Sequence, residues 1–459
     1  MTNDLLSKSD INNYGIVYTP DNLVDEILDL IPDKYFKMKD LTWLDIGAGK
    51  GAFSINLYNR LIKNLSDQFK NTEQCKEHII NNMLFMIEIY PPHIDCLKEL
   101  FTNEANIMNR CFLSLNEYEL DKFDFIIGNP PYNINGSIKT PTNNNKKKID
   151  DGKSIYVEFI NKILNLLNEG GFLNLIIPSL WLKIDKANLY NTLTNLRIHK
   201  LKCLCTSDSC KAFNYNAQTP TCFFLIENYD TSEWDNKVIK IYDKIERDYI
   251  NYSLKPNNPI PINGINILKK LENYIDIVGT LKFNKTNTPP KNMILSEISN
   301  VNYNYANIKT CILNGVVANI VLNYSNIKSQ YYLKKPKLIL AHKMYGIPYF
   351  DKEGIYGVST RDNYIISGVD YNIEELEEIQ HFLSTKFSLF IFLCCNYRMR
   401  FLERAAFSFI PVITKIPNFP KLKNIDRENR DKLVYNFLNL SNKEIEFIEN
   451  NFKNYKFFV

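Results

Sequence analysis

The chain has 459 residues and is 45% hydrophobic, which is enough for one large or two ordinary domains with real cores. The formal net charge of +4 excludes a global basic field of the kind that marks nucleic-acid binding, so charge has to be examined locally. The start, MTNDLLSKSD, lacks the pattern of a secretory signal, and the longest apolar run, FSLFIFLCC, is too short to span a membrane.

Helices and apolar strands alternate in the first half of the chain. Thr19 as N-cap and Pro20 at the first helical position predict a helix start, and a short apolar strand then ends at Asp45. A glycine turn follows, and a helix is predicted from about Phe53. Further predicted strands are MLFMIEI (83–89), FDFIIG (123–128), FLNLIIP (172–178) and CFFLIEN (222–228). The segment SIYVEFINKILNLL is predicted to be a helix that ends at Gly170-Gly171.

The strands are apolar throughout rather than alternating, which predicts a mostly parallel sheet with helices on both faces. We place this α/β domain at residues 1–230. From about 235 the pattern changes to strands such as YYLKKPKLILAHK and GIYGVSTRDNYII among helices such as IEELEEIQHFLSTKFSLFIFL. Residues 235–459 are therefore predicted to form a second, mixed α+β domain.

Ten cysteines without a signal sequence indicate reduced thiols and an intracellular, cytoplasmic protein. Cys203, Cys205 and Cys210 cluster in the sequence, and Cys222 follows. The spacing lacks a CxxC knuckle and no histidine lies among them, so we expect buried thiols on strands and no metal site.

The first strand end carries the pattern D-x-G-x-G, formed by Asp45, Gly47 and Gly49. Ligands of open parallel sheets bind at the carboxyl ends of strands, where glycines allow close backbone approach. The pattern is not a phosphate-binding P-loop, because GxxxxGK[ST] is absent. Glu88 ends the next strand and could accept both hydroxyls of a ribose. The alternatives are a plain strand–helix turn and a surface glutamate.

Asn129, Pro130, Pro131 and Tyr132 follow the strand FDFIIG directly. The Asn129 side-chain carbonyl and the Pro130 main-chain carbonyl are two acceptors that suit an amino group with two N–H donors. Such acceptors favour the pyramidal geometry that a conjugated amine needs for attack. The two prolines fix this geometry, and Tyr132 offers a flat face for stacking on a base. A purely structural turn is the alternative interpretation.

With these motifs in this order, the chain resembles the class I, S-adenosylmethionine-dependent N6-adenine DNA methyltransferases of the NPPY type, found in restriction–modification systems and large DNA viruses. The resemblance covers residues 15–230 and implies a Rossmann-like catalytic domain followed by a target-recognition domain. It implies that the cofactor is bound by Tyr18, Thr19, Pro20, Asp45, Gly47, Gly49 and Glu88. Asp45 is expected near the cofactor's amino group and Glu88 at its ribose.

The resemblance also implies the residues that handle the target base. Asn129, Pro130, Pro131 and Tyr132 match the catalytic motif, and FNYNAQTPTCFFLI resembles the segment that stacks on the other face of a flipped adenine. Phe213 is the candidate stacking residue, with Tyr215 as the second choice. One departure from the family is Cys111, which stands where an Asp commonly contacts the cofactor's adenine.

Double-stranded DNA is the expected partner, and the target base would have to be flipped out. Candidate DNA contacts in the second domain are Arg361, Arg398, Arg400 and Arg404, with a further basic patch expected at Lys334, Lys335 and Lys337. Each of these charges is individually also compatible with a solvated surface. We expect the protein to be a monomer. A separate cognate restriction endonuclease is a second candidate partner, because enzymes of this type occur in restriction–modification systems.

Three other functions are compatible with parts of the sequence. NPPY also serves methylation of protein glutamine amides, although those enzymes lack a second domain as large as residues 235–459. RNA adenine is another possible substrate. A catalytically inactive, DNA-binding homologue is the third, and the complete motif at 129–132 argues against it.

Overall fold

The computed structural model describes residues 14–134, 153–233, 236–314, 317–331, 334–341, 347–361, 363–398 and 402–453. The chain divides into two compact units. The first runs to Tyr242 and also includes Asp248–Asn257, and the second comprises Asp243–Arg247 and continues from Asn258. The first unit therefore extends past the predicted boundary near residue 230.

A nine-stranded sheet forms the centre of the first unit, in the order β11-β10-β8-β9-β7-β4-β1-β2-β3. Its strands are β1 (Trp43–Ile46), β2 (Leu84–Glu88), β3 (Asn106–Asn109), β4 (Phe123–Gly128), β7 (Leu167–Pro178), β8 (Leu196–Leu204), β9 (Thr221–Asp230), β10 (Val238–Asp243) and β11 (Asp248–Ser253), while β5 (Asn133–Ile134) and β6 (Lys153–Ser154) pair separately. Strands β3, β2, β1, β4 and β7 are parallel, whereas β9 is antiparallel to β7 and β8. Strands β10 and β11 carry the sheet beyond residue 230, which moves the boundary.

Seven helices accompany this sheet in the described residues: α1 (Asp21–Leu28), α2 (Ala52–Leu65), α3 (Thr72–His78), α4 (Pro91–Phe101), α5 (Tyr156–Asn165), α6 (Leu189–Thr194) and α7 (Thr206–Ala212). Helix α2 buries Phe53, Leu57, Leu61 and Leu65, which recur at helical spacing and face the sheet core. The predicted Rossmann-like α/β fold with a mostly parallel sheet is confirmed.

Stacked aromatic rings run through the core beneath three neighbouring strands. The ring centroids of Phe36 and Trp43 lie 5.6 Å apart, those of Trp43 and Phe125 lie 4.0 Å apart, and those of Phe125 and Phe172 lie 5.0 Å apart. Trp43 is on β1, Phe125 on β4 and Phe172 on β7. Rings of this size contribute much of the buried apolar area, so they hold the central strands in register.

Two local predictions in this unit are wrong. Helix α1 begins at Asp21 with Pro20 at the N-cap position and no side-chain cap, so Thr19 does not cap it. Helix α5 ends at Asn165, and Gly170-Gly171 lie inside strand β7 rather than at a helix end. The pairing of β7 with β4 is irregular next to these glycines, and Gly170 has φ +74°, a value that glycine adopts without strain.

The second unit is a mixed α+β structure, as predicted. Two four-stranded sheets have the orders β12-β19-β16-β17 and β13-β15-β14-β18. The strands are β12 (Asn284–Lys285), β13 (Leu295–Ser296), β14 (Tyr305–Asn314), β15 (Val317–Ser325), β16 (Lys337–Ala341), β17 (Tyr349–Asp351), β18 (Gly357–Val358) and β19 (Asn363–Ser367). The helices are α8 (Ile265–Val278), α9 (Ile373–Leu383), α10 (Lys386–Leu393), α11 (Arg427–Phe437) and α12 (Asn442–Phe452).

The apolar run near 387–395 forms the short helix α10, which begins at the Thr385 N-cap and buries Phe387, Leu389, Phe390, Ile391 and Phe392. A helix with apolar residues all round its axis belongs inside a protein core. Within the described part of the chain, no helix is both long and apolar enough to cross a membrane.

The proposed basic patch at Lys334, Lys335 and Lys337 needs correction, because Lys337 is fully buried. Its Nζ lies 2.5 Å from Asp351 Oδ2 on the paired strand β17. Burial lowers the pKa of Lys337, and its carboxylate partner opposes that shift. Asp351 also accepts the backbone N–H groups of Ile355 and Tyr356. The pair is therefore part of the core of the second unit, and only Lys334 and Lys335 are exposed.

Lys337→Met should destabilise the second unit by about 3–5 kcal/mol, because it leaves the Asp351 carboxylate buried without its counter-charge. Chemical denaturation of the full chain measures this effect. Lys335→Met, at an exposed neighbouring position, is the control and should change the free energy of unfolding by less than about 0.5 kcal/mol. Equal stability of Lys337→Met and the control would show that the pair contributes no net stability.

Candidate functional site

Strand β1 lies between β2 and β4, so the order of the strands reverses at its carboxyl end. Crevices at such reversal points are where open α/β sheets bind ligands. The turn after β1 is glycine-rich: Gly47 has φ +69°, Gly49 φ +58° and Gly51 φ +89°. A side chain at Gly49 would meet no atom nearer than 4.0 Å, so the glycines leave an open cradle at this edge.

Asp45 is the last polar residue before this turn and is 1% exposed. Its Oδ2 accepts the hydroxyl of Ser54 on α2 at 2.6 Å, whereas its Oδ1 is buried without a hydrogen-bond partner. Burial raises the pKa of Asp45 to about 7, against the lowering effect of the Ser54 bond and with a further increase from Glu88. An unpaired, buried carboxylate oxygen of this kind suits a cationic ligand group.

Glu88 ends β2 beside the glycine turn and is nearly buried. Its Oε2 accepts the N–H of Gly49 at 2.7 Å and its Oε1 accepts the N–H of Tyr90 at 2.8 Å. Burial alone would raise the pKa of Glu88, but the adjacent His93 imidazole and the two backbone N–H groups outweigh burial and lower it. The carboxylate is thus ionised and fixed in orientation, with lone pairs left for further donors.

The segment of Tyr18, Thr19 and Pro20 lies at the same edge. The Thr19 hydroxyl accepts a hydrogen bond from Asn129 Nδ2 at 3.1 Å, which is the role that replaces the predicted N-cap. Gly15, at φ +65°, approaches the proline turn so closely that a Cβ there would lie 2.3 Å from the Asn133 carbonyl oxygen. This segment therefore packs directly against the NPPY turn.

Asn129 follows β4, and its amide nitrogen donates a hydrogen bond to the Thr19 hydroxyl. The amide oxygen of Asn129, Oδ1, is buried and has no hydrogen-bond partner among the described residues. The preceding Gly128 has φ +132°, and a Cβ there would come within 3.0 Å of Asp45 Oδ1. This close approach places the NPPY turn beside the end of β1. Pro131 extends the contact, because its Cδ lies 3.9 Å from the position of a Cβ on Gly47.

Tyr132 completes the motif next to strand β7. Its hydroxyl lies 3.5 Å from the carbonyl oxygen of Ile176, and its own carbonyl accepts the N–H of Ile155 at 3.0 Å. Burial raises the pKa of Tyr132 well above its usual value, so the hydroxyl stays protonated. Pro130 is buried, which leaves the turn little freedom to move.

The structure disfavours Phe213 as a stacking residue. Phe213 is fully buried in the core of the first unit, whereas Tyr215 is 74% exposed. Asn214 and Tyr215 have φ +49° and +66°, which is unusual for two consecutive residues that are not glycine. The Tyr215 N–H donates to the Cys210 carbonyl at 2.6 Å and holds this conformation. Strain of this type is often found at functional positions.

Tyr215 precedes β9, whose first residue, Thr221, pairs with Pro178 at the carboxyl end of β7. Because β7 is parallel to β4, this loop and the NPPY turn lie at the same edge of the sheet.

Sequence analysis did not identify Ser54 and His93 as residues of this edge of the sheet. His93 could have been found from its position in the first turn of the helix that follows Glu88.

The remaining predicted residues are only partly placed. Cys111 follows β3 at the same edge of the sheet and is partly exposed. Cys203 and Cys222 are buried and paired in register on β8 and β9, as predicted, whereas Cys205, at the N-cap of α7, and Cys210, within α7, are partly exposed. In the described ranges, no three histidine, cysteine or acidic residues are arranged to hold a metal ion.

Among the predicted DNA contacts, Arg361 and Arg404 are exposed, and Arg404 lies 5.8 Å from the centre of the Phe283 ring. Arg398 is half-exposed, with its Nε 3.5 Å from Glu403 Oε1. Arg400 lies outside the described residues, as do Lys146–Lys148 in the loop after NPPY. The individual positions therefore permit contact with a phosphate or a base edge.

Residues 34–213 match the model of the Eco57I restriction-modification methylase family. Over this segment the chain is similar to restriction-modification methylases of the Eco57I type. Among curated relatives, the type II methyltransferase M.BstVI of Geobacillus stearothermophilus is 30% identical over 187 residues, which cover 36% of this chain and 33% of the relative. The type II methyltransferase M.PaeR7I of Pseudomonas aeruginosa is 26% identical over 219 residues, 43% of this chain and 38% of the relative. The chain thus spans little more than a third of the length of these relatives.

A solved structure, the type IIG restriction endonuclease BpuSI, aligns with 93% of this chain and with 61% of the BpuSI chain, at 12% identity and a TM-score of 0.42.

Domains of the Eco57I methylase type use S-adenosylmethionine as methyl donor, and the residues at the carboxyl edge of the sheet fit this cofactor. The free Asp45 Oδ1 suits its ammonium group, the glycine cradle accommodates its methionine portion, and the fixed Glu88 carboxylate suits the ribose hydroxyls.

Proposed function

We propose that the protein transfers a methyl group from S-adenosylmethionine to N6 of a flipped-out adenine in double-stranded DNA, at a short specific sequence. The observation that carries this proposal is the buried, unpartnered Oδ1 of Asn129 beside the Asp45–Gly49 turn. A buried acceptor without a donor is costly to the free protein and suits a ligand that brings an N–H. The family match to restriction-modification methylases supports DNA as the substrate.

The chemistry follows from what each group can accept. Bound S-adenosylmethionine supplies an electrophilic methyl group on a sulfonium sulfur. Asn129 Oδ1 and the carbonyl of Pro130 each accept one N–H of the adenine amino group, which draws the nitrogen lone pair out of conjugation. Methyl transfer would form a bond between this nitrogen and the methyl carbon of the donor and break the donor's carbon–sulfur bond, and the surplus amino proton would leave to solvent. The Asn129 amide needs no reorganisation, because Thr19 already holds its Nδ2.

The aromatic side chains at this edge would hold the flipped base. Tyr132 is anchored next to β7 and offers one ring face. We assign the second face to Tyr215, because it is exposed on a strained turn at the same edge, whereas Phe213 is buried. Enclosure between two rings fixes a base without requiring a metal or a nucleophilic side chain.

Tyr215→Ala should lower kcat/KM for DNA about 5- to 150-fold, because stacking on one base contributes about 1–3 kcal/mol. Tyr215→Phe should retain most of the activity. Phe213→Leu is the contrasting variant: it should lower the melting temperature through the core and leave the rate per folded molecule nearly unchanged. The opposite pattern, with Phe213→Leu impaired in catalysis and Tyr215→Ala normal, would restore Phe213 as the stacking residue.

The second unit is proposed to recognise the target sequence. Arg361, Arg398 and Arg404 are exposed or half-exposed and can reach phosphates or guanine edges. We propose that the enzyme acts as a monomer, and a cognate restriction endonuclease is a further proposed partner. The match to the Eco57I restriction-modification methylase family supports a restriction endonuclease as a partner.

Cofactor affinity should rise with pH between 6 and 8. The pKa of Asp45 is about 7, so the carboxyl is largely protonated below pH 7 and ionised above it. A cationic ammonium group binds the ionised form, so the dissociation constant should increase by up to about tenfold per unit as the pH falls below 7. Isothermal titration calorimetry of S-adenosylmethionine measures this. Asp45→Asn should bind weakly and without this slope, and an unchanged slope in that variant would assign the proton to another group.

The function is tested by incubating the protein with S-adenosylmethionine and unmethylated genomic DNA and sequencing modified bases on single molecules. N6-methyladenine within one short motif would establish both the reaction and its specificity. Absence of modified adenine, with cofactor binding shown separately, would overturn the proposal and point to RNA adenine or protein amides. Binding of duplex DNA without cofactor binding would instead indicate an inactive homologue.

A further inference from the structure

A chain of side-chain contacts connects Glu88 with the NPPY turn through a buried histidine. His93, on α4, is 2% exposed. Its Nε2 lies 2.9 Å from the Tyr18 hydroxyl, and its Nδ1 lies 3.6 Å from Glu88 Oε1. The Tyr90 ring packs edge-on against the imidazole at 4.9 Å and helps to fix the ring plane.

The neighbours of His93 determine where its proton lies. At 3.6 Å the Nδ1–Glu88 contact is electrostatic and Nδ1 has no hydrogen-bond partner within the described ranges, but a carboxylate next to Nδ1 favours the tautomer with the proton on that nitrogen. The unprotonated Nε2 then accepts the hydrogen bond that the Tyr18 hydroxyl donates. In this arrangement the Tyr18 side chain is tied to the Glu88 carboxylate by a single rigid ring.

The main chain carries this contact onward to the substrate side. Thr19 follows Tyr18 directly and accepts a hydrogen bond from Asn129 Nδ2. That bond fixes the orientation of the Asn129 amide and so the position of its Oδ1, which has no hydrogen-bond partner among the described residues. A displacement of Tyr18 would therefore move Thr19 and change the orientation of the Asn129 amide.

We infer that His93 is a positioning residue that couples the ribose-binding Glu88 to Asn129 through Tyr18 and Thr19. This inference rests on the proposed function, since it concerns the same cofactor and the same target amino group. Its consequence is that loss of His93 impairs two separate quantities. These are the affinity for S-adenosylmethionine, through Glu88, and the rate of methyl transfer at saturating cofactor, through Asn129.

The experiment compares the full-length wild type with His93→Leu, Tyr18→Phe and the double variant. Calorimetry without DNA gives the dissociation constant for S-adenosylmethionine, and a single-turnover assay on unmethylated genomic DNA gives the rate at saturating cofactor. His78→Leu is the matched control, because His78 is a half-buried histidine on α3 whose ring contacts the Lys39 carbonyl. Melting temperatures establish that each variant is folded.

His93→Leu should weaken cofactor binding and slow the saturated rate, each by about tenfold, the typical effect of losing one buried hydrogen bond. Tyr18→Phe keeps the ring and removes only the hydroxyl, so it should slow the saturated rate with a smaller change in affinity. The double variant should be no slower than His93→Leu, because both changes interrupt one path. His78→Leu should match the wild type.

Normal saturated rates in both single variants would overturn the coupling, even if affinity falls, since His93 would then only shape the cofactor site. Additive rate losses in the double variant would overturn it as well. If His93→Leu does not fold, the saturated rate of Tyr18→Phe tests the coupling instead. The Tyr18 side chain is partly exposed, so this variant should fold. A wild type that neither binds S-adenosylmethionine nor methylates DNA would instead refute the proposed function.

Discussion

Asn129→Ala should reduce the single-turnover rate of DNA methylation by about 10²–10³-fold or more and leave the affinity for S-adenosylmethionine nearly unchanged. The Oδ1 of Asn129 is buried and unpartnered in the free protein, so it is available to the amino group in the reacting state. Removing one preorganised polar group of this kind costs about 2.7–4 kcal/mol of barrier height. The Pro130 carbonyl alone cannot direct both N–H bonds of the amine.

The matched control is Asn103→Ala, an exposed asparagine in the same unit. It should methylate at the wild-type rate. Because Asn129 donates to Thr19, the alanine variant also leaves the Thr19 hydroxyl without this partner, and melting temperatures are needed to separate folding from catalysis. Wild-type activity in a folded Asn129→Ala variant would remove the amide from the mechanism altogether.

Glu88→Ala should weaken the binding of S-adenosylmethionine by about 10²–10⁴-fold. Two hydrogen bonds from ribose hydroxyls to a carboxylate contribute about 1.5–3 kcal/mol each, and both are lost. The variant also leaves the backbone N–H groups of Gly49 and Tyr90 without their acceptor, which loosens the glycine turn. Calorimetry with S-adenosylmethionine measures the loss directly.

Glu88→Gln tests the same site with less change in volume. Both carboxylate oxygens accept a backbone N–H, so the amide nitrogen of glutamine would face a donor and one of the two bonds would break. Its affinity should lie between those of the wild type and the alanine variant. Glu99→Gln, at an exposed position of α4, should bind cofactor normally. Tight binding by Glu88→Ala would mean that another residue holds the ribose.

The local chemistry of strands and turns made much of the first unit predictable. Continuous apolar strands separated by helices indicated a buried parallel sheet, and the glycine turn after Ile46 and the Asn-Pro-Pro turn after Gly128 indicated the edge where we propose the site. Thr19 was misjudged because its pattern fits a helix cap, whereas tertiary packing uses the hydroxyl for Asn129, 110 positions away. Sequence spacing carries no information about such a partner.

The sequence could not decide between Phe213 and Tyr215 as the stacking residue for a related reason. Both are aromatic and only two positions apart, so composition cannot separate a core residue from a surface residue. The distinction depends on the left-handed turn at Asn214 and Tyr215, which directs Phe213 inward and leaves Tyr215 exposed. Likewise Lys337 belongs to a basic sequence run, but strand pairing places it opposite Asp351 in the core.

The proposed site joins residues that lie far apart in the sequence, and this separation affects how fast the site can form during folding. The Asn129–Thr19 and His93–Tyr18 hydrogen bonds join residues separated by 110 and 75 positions. Closing loops of this length costs chain entropy before any contact compensates for it, and non-local contacts of this kind form slowly. During synthesis, the segment around Tyr18 emerges from the ribosome long before its partners. The proposed site is thus assembled from distant parts of the chain, and it cannot be complete before Tyr132 has been synthesised.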